Sequence, residues 1–336
     1  MAVGIGADPV TAGEPKTGIA PRRQRTLRLP RSPKILVGVG LLAIFVLLAI
    51  IGPLVAPYSP NQTFANAPVP LPPSAAHLLG TTQLQQDVFS QLLVGGGSML
   101  LVALIGGVIA TALSVLVGVA AGYLGGHADN FLSMVTNIFL VMPALPLLII
   151  MFGFLGAASS NIFVIGLIIS VTGWAWGARV LRVQTLTLRN RDYIDSARIT
   201  GERGSRIILA EILPNLTPIV ASSFLFTVLY AVGTYSALAF LGLVNPNWNW
   251  GGMLFYAQLS NAELTGYWWW FVPPGLAIAL LGTALVLLNF GIDEFINPRL
   301  RIAGLTRRSG RRGRAPAGSR QTFALTPVIR AEGGQS

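Results

Sequence analysis

Residues 98–122 read SMLLVALIGGVIATALSVLVGVAAG, with no charged side chain anywhere in the stretch. A helix needs about 20 apolar residues to cross a bilayer, so this segment predicts a membrane span. Its small residues carry a second message. Gly106, Ala110, Ser114, Gly118 and Gly122 recur at four-residue spacing, which sets them along one helix face. Helices in lipid gain little from apolar burial against each other and associate by close backbone approach. The stripe therefore predicts a helix–helix seam, with the partner helix left open.

Working outward, five further stretches have the same character: 35–56, 131–153, 162–178, 216–242 and 271–291. None contains Lys or Arg. Pro143 and Pro146 sit inside the third of these in chain order after 98–122 is counted, where a kink is tolerable if neighbouring helices satisfy the freed carbonyls. Composition agrees. Of 336 residues, 53% are hydrophobic and 10% charged, against roughly 25% charged in a soluble domain. The first stretch is not a signal peptide by length, because its apolar run exceeds a core of about 7–15 residues. It reads as a retained anchor. The expected fold is an all-α membrane protein of six transmembrane helices: an N-terminal anchor, then a five-helix core.

The basic residues define an orientation. Of 23 Lys plus Arg, seven lie from Lys16 to Lys34, seven from Arg179 to Arg206 and nine from Arg299 to Arg330. Six spans put all three segments on one side, and the opposite side carries none. Cytoplasmic loops collect basic residues, so both termini are expected in the cytoplasm and the chain in the inner membrane. The net charge of +11 then reads as attraction to anionic lipid, not to nucleic acid.

The organisation follows. Residues 1–34 and 302–336 read as disordered basic cytoplasmic tails. Residues 35–56 are the anchor. Residues 57–97 are an external loop, Pro-rich at its start. Residues 98–301 form the transmembrane domain, with a cytoplasmic loop at 179–215. The outer segment 243–270 holds Trp248, Trp250, Tyr256, Tyr267, Trp268, Trp269 and Trp270, which reads as an interfacial aromatic belt. There is no cysteine, and His77 and His127 are too far apart for a metal-ligand spacing, so no metal site is expected. External acids are limited to Asp87 and Glu263, too few for hydrolytic chemistry.

The loop at 179–215 is more than a connector. Asp192 is a candidate N-cap, Asp195 adds first-turn negative charge, and Gly201 fits a helix stop. Ser205 is a candidate cap for a second helix, with Ile208, Leu209 and Ile212 on one face and Pro214 breaking it. Tyr193, Ile194 and Ala197 would offer a small apolar surface. A helix, a glycine corner and a second helix make either a docking element for a soluble partner or an interfacial helix on lipid.

The spacing Asp195-Ser196-Ala197, three residues, Gly201, nine residues, Glu211-Ile-Leu213-Pro214 resembles the Glu-Ala-Ala loop of binding-protein-dependent ABC importer permeases. Ala197, Gly201, Leu213 and Pro214 match, with Asp195 and Ser196 as small departures. The resemblance covers about 35–301 and looks closest to the C-type permeases of the dipeptide/oligopeptide/nickel group. His77-Leu-Leu-Gly-Thr81, Asp87-Val-Phe-Ser-Gln-Leu-Leu93, Ala237-Leu-Ala-Phe-Leu-Gly242 and Asn297-Pro-Arg-Leu-Arg301 add to it. Thr82, Gln86, Gln91 and Gly97 stand where the group usually carries charge, and Gln85 where its Gly-Arg-Asp triplet has glycine.

The resemblance implies a type I permease core. It also implies a homologous B-type permease, two ABC ATPase subunits and an external substrate-binding protein as partners. Asp192, Tyr193, Ile194, Asp195, Ser196, Ala197, Gly201, Leu213 and Pro214 would couple this chain to an ATPase. This chain needs no cofactor of its own in that reading, since ATP would bind the partner subunits. It has no phosphate-loop lysine, Lys16 and Lys34 being its only lysines, and its spans hold no chain of acids or histidines for proton relay. The cargo implied is a di- or oligopeptide. Nickel, opines and glycosides stay open, as does an ATP-independent secondary transporter.

Overall fold

The computed structural model describes residues 33–64, 70–156, 160–244 and 249–296. Most of both basic tails, the motif at 297–301 and Trp248 lie outside the described residues. Among these the fold is helical throughout, with no strand and one isolated bridge, Thr81 to Asp87. The elements are α1 (Pro33–Val55), α2 (Val88–Leu124), α3 (Gly126–Val141), α4 (Ala144–Leu155), α5 (Ile162–Arg189) and α6 (Asp192–Ile199). A continuous rod follows, made of α7 (Gly204–Arg206), a π turn (Ile207–Ile212) and α8 (Leu213–Phe240). Two short helices, α9 (Trp250–Leu259) and α10 (Ala262–Thr265), precede α11 (Trp268–Ile296). Among the described residues five helices are long and apolar enough to span a membrane, and the pair α3–α4 makes six if counted as one span.

Several boundaries differ from the sequence reading, each for a local reason. α2 starts at Val88, ten residues early, inside the stretch read as loop 57–97. Asp87 caps it by accepting from the Ser90 amide at 2.7 Å. The stretch 131–153 is not one kinked helix. α3 and α4 meet at 88°, because a residue before proline is pushed out of the helical region and Met142, before Pro143, sits at ψ 129°. α5 runs on to Arg189, eleven residues past the apolar limit at 178. Nothing in 179–189 breaks a helix, and the added turns carry arginines that find partners on α3. Pro214 does not end a helix either. It falls in the first turn of α8, where its missing N–H is not needed, and the π turn before it absorbs the register change.

The small-residue stripe of α2 faces α5. A Cβ on Gly118 would come within 2.5 Å of the Ala178 carbonyl, and one on Gly122 within 2.6 Å of the Thr185 Cβ. Ser114 Oγ donates to the Trp174 carbonyl at 2.6 Å, Gly106 lies against Gly166, and Ala110 packs beside Trp174 and Gly173. α8 closes the other flank of α2, with Thr111 and Thr227 hydroxyls 2.9 Å apart and Gly107 against Val228. α1 lies across α11 and α2 through Gly38, at the Ala284 carbonyl, and Gly52, at the Leu93 carbonyl.

The aromatic belt is largely corrected. Trp250, Trp269 and Trp270 are buried in the main apolar core; only Tyr256 and Trp268 of the described set are well exposed. α9 folds back into the bundle, and the Trp250 indole donates to the Leu92 carbonyl at 2.9 Å.

Gly118→Leu is expected to overpack the α2–α5 seam and destabilise the chain by about 1–3 kcal/mol. Gly40→Leu, where no atom lies within 4 Å of the added Cβ, is expected to leave the melting temperature in detergent unchanged. Equal melting of the two variants would contradict the seam.

Candidate functional site

α6 is short, and its placement comes from one residue. Ile194 is 0% exposed and sits in an apolar knot with Val119 of α2, Leu181 of α5, Ile207 and Ile212 of the π turn, and Leu216 of α8. Side chains of three long helices therefore join one apolar cluster with α6, which itself lies against α5 and the π turn. Ala197 packs partly against the same knot. The expectation that Ile194 belongs to the apolar surface offered by α6 is corrected: it faces inward. The outward face holds Tyr193, 41% exposed, and Ile199, 87% exposed, with Asp192, Asp195 and Ser196 also exposed. Ile199 was missed by the sequence reading, although Ile194 and Ile199, five apart, cannot share one α-helical face.

Asp192 is the first residue of α6, and Arg191 occupies the N-cap position without a side-chain cap bond. This corrects the cap expected at Asp192, though its charge still favours the helix N-terminus. The C-terminal stop is a full Schellman closure. Gly201, at φ +79°, donates to the Arg198 carbonyl at 3.0 Å, and Glu202 to the Ala197 carbonyl at 3.1 Å. No atom lies within 4 Å of a Cβ built on Gly201, so its requirement is purely conformational.

Ser205 does not cap; Arg203 holds that position. Ile207 and Ile212 point inward while Leu209 is exposed, in place of the face expected from Ile208, Leu209 and Ile212. The π turn is the reason, since its Leu213 amide bonds five residues back to Ile208. Leu213 and Pro214 begin α8, with Pro214 exposed. Glu202 and Arg206 pair at 3.4 Å, Asp195 and Arg198 at 3.0 Å, and Arg198 lies 5.7 Å from the Tyr123 ring centre. Beside this corner, α3 is tied to α5. Asp129 takes a forked pair of bonds from Arg182, at 2.5 and 2.8 Å, and Asn137 accepts from Arg179 at 2.8 Å.

At the opposite end of the bundle, a compact knot holds the start of α2. His77 Nδ1 and Asp87 Oδ1 are 2.9 Å apart and buried, under the rings of Tyr58 and Phe64. Thr82, Gln85, Gln86 and Gln91 build a neutral turn beside it. Gln91 Nε2 donates to Gln86 Oε1 at 2.7 Å.

Two comparisons with known proteins bear on this geometry. Residues 114–302, which contain α6 and its corner, match the family described as binding-protein-dependent transport system inner membrane component. The chain belongs to that family. Residues 22–73 match the N-terminal TM domain of oligopeptide transport permease C. Among similar proteins, the dipeptide transport system permease protein DppC of Bacillus subtilis is 31% identical over 279 residues, 82% of this chain and 84% of the relative. The oligopeptide transport system permease protein OppC of Mycobacterium tuberculosis is 31% identical over 264 residues, 78% of this chain and 89% of the relative. The probable D,D-dipeptide transport system permease protein DdpC of Escherichia coli is 30% identical over 273 residues, 81% and 89%. As an inner membrane component of such a system, this chain is an integral, multi-pass membrane protein and a translocation subunit by family.

Among the described residues no group of His, Asp and Glu is placed to hold a metal ion. Ile194→Ala is expected to cost about 2–5 kcal/mol of stability. Ile199→Ala is expected to change it by less than about 0.5 kcal/mol. Denaturant unfolding of the detergent-purified chain measures both, and the reverse ranking would overturn the inward assignment of Ile194.

Proposed function

We propose that this chain is the translocating permease of an ATP-driven importer of di- or oligopeptides. In this reading α6 and its glycine corner are the element that seats in a groove of an ATPase subunit. One observation carries it: Ile194 of α6 is buried in one apolar cluster with side chains of α2, α5 and α8, while Tyr193 and Ile199 are exposed. A helix fixed that way transmits a push as a rigid body. Movement of α6 then moves three spans together, which is what a switch between inward and outward openings requires.

The peptide cargo is inferred from the relatives named for dipeptide and oligopeptide transport. The same reading supplies the partners: a homologous B-type permease, two ABC ATPase subunits that bind the ATP, and an external substrate-binding protein. It also places α6 and both termini in the cytoplasm, in agreement with the basic residues gathered there. ATP drives the cycle by binding one conformation of the assembly more tightly than the other.

The test is made on the complex purified with its ATPase subunits in proteoliposomes. The double variant Tyr193→Ala, Ile199→Asp is expected to fold and insert normally. It should lose at least about tenfold in peptide-stimulated ATP hydrolysis and uptake, equivalent to about 1.4 kcal/mol of docking energy. Gly201→Val should act in the same direction by straining the left-handed corner, at about 1–2 kcal/mol. Full stimulated hydrolysis and uptake by both variants would refute α6 as the coupling element.

A further inference from the structure

Two hollows join where α3 lies against α5. The smaller, of about 220 Å³, is lined by the small residues Gly118, Ala121 and Ala178 and by the polar side chains of Ser133, Asn137, Arg179 and Arg182. The larger, of about 780 Å³, follows the outer face of α3 to the bend at Met142–Pro143. Ser133 and Asn137 line both. Met134, Ile138, Val141 and Met142 are exposed along the larger one. One end of the joined recess is therefore cationic and the rest is mostly apolar.

Cationic charge is in excess at the polar end. Arg179, Arg182 and Arg189 share one face of α5 by helical spacing. Asp129 is the carboxylate that meets them, and Arg182 holds it with a forked pair of bonds. Arg179 donates to the neutral Asn137 at 2.8 Å and forms no ion pair among the described residues. Arg189 reaches the start of α3, where a Cβ built on Gly125 would come within 2.5 Å of its Nη1. Depth matters as well. α5 carries no charge from Ile162 to Ala178, which is about 26 Å of helix, close to a hydrocarbon core of about 30 Å. Arg179 therefore lies where the hydrocarbon of one leaflet gives way to its headgroups.

We propose that this recess binds one anionic phospholipid from the leaflet on the α6 side, with its phosphate at Arg179 and Arg182 and an acyl chain along α3. Guanidinium groups bind phosphate oxygens through paired N–H bonds. Arg179 has donors beyond the one it gives to Asn137. A zwitterionic lipid would bring its own cation into a site that is already positive. A free phosphate would leave the apolar recess empty. Basic pockets between transmembrane helices at headgroup depth suit anionic lipid. Bound there, the lipid would join α3 to α5 beside the Arg182–Asp129 pair. The assignment depends on the membrane placement of the chain and not on its cargo.

The test is native mass spectrometry of the full chain in detergent, titrated with dioleoylphosphatidylglycerol, dioleoylphosphatidylcholine and glycerophosphoglycerol, the bare headgroup. The wild-type chain is expected to retain a single phosphatidylglycerol about tenfold more tightly than phosphatidylcholine, with no saturable binding of the bare headgroup. Arg179→Gln should abolish that preference. Asn137→Trp, which plugs the junction of the hollows from an exposed position, should weaken retention of both lipids about tenfold. Arg203→Gln removes the same charge from the exposed corner after α6 and should leave the preference intact. The wild-type comparison needs no variant to fold. Repeated on the complex with its proposed partner permease and ATPase subunits, the measurement should still find the Arg179-dependent lipid. Equal retention of the two lipids, binding of the bare headgroup as tight as that of the lipid, or an equal loss in Arg203→Gln would each overturn the proposal. So would loss of the lipid on assembly, which would assign the recess to a partner protein.

Discussion

Where α2 crosses α5, the backbone around Gly118 approaches the Ala178 carbonyl so closely that no side chain fits between them. That approach is the constraint on which the rest of the bundle depends. In lipid there is no apolar driving force to hold helices together, so contact energy has to come from close packing and hydrogen bonds. The Ser114 hydroxyl on the Trp174 carbonyl supplies such a bond at the centre of the seam. With α2 and α5 locked, α8 packs into the angle between them, and α1 and α11 close the outside.

The α6 corner inherits its position from this seam. Val119 and Leu181 lie on the two seam helices and share one apolar cluster with Ile194. The Schellman closure at Gly201 then turns the chain back, so that the π turn presents Ile207 and Ile212 to the same knot. The corner is thus defined twice, once by packing and once by backbone bonding. The forked Arg182–Asp129 pair adds α3 to the same rigid group. The group of elements held together around α6 is larger than one helix.

The far end is organised by different means. Asp87 serves three neighbours at once: the Ser90 amide, the Ser90 hydroxyl and His77. It is buried, and a buried carboxylate persists only when so satisfied. This knot starts α2 ten residues before its apolar run becomes continuous, and it sets the neutral Thr82–Gln86 turn against α9. Trp250, docked through the Leu92 carbonyl, keeps α9 inside the bundle.

Spans, the small-residue stripe, Gly201 and the Asp195–Pro214 spacing were all legible in the chain. Each depends on local chemistry: apolar length, helical period, or the conformational freedom of glycine. The helix ends at 88 and 189 were not, because an apolar count stops at the Gly95–Gly97 run on one side and at Arg179 on the other, while hydrogen bonds carry a helix further. Nor was the inward face of Ile194, which reads like any isoleucine on a short amphipathic helix. The sequence by itself determined that this chain crosses a membrane as helices and carries a corner between two of them. Only the tertiary structure decided which helix the stripe of α2 meets, which side of α6 is free, and that three buried tryptophans belong to the core. Those outcomes depend on residues tens of positions apart or more, such as Leu92 bonded to Trp250 and Val119 sharing a cluster with Ile194, and no local pattern encodes such a partner.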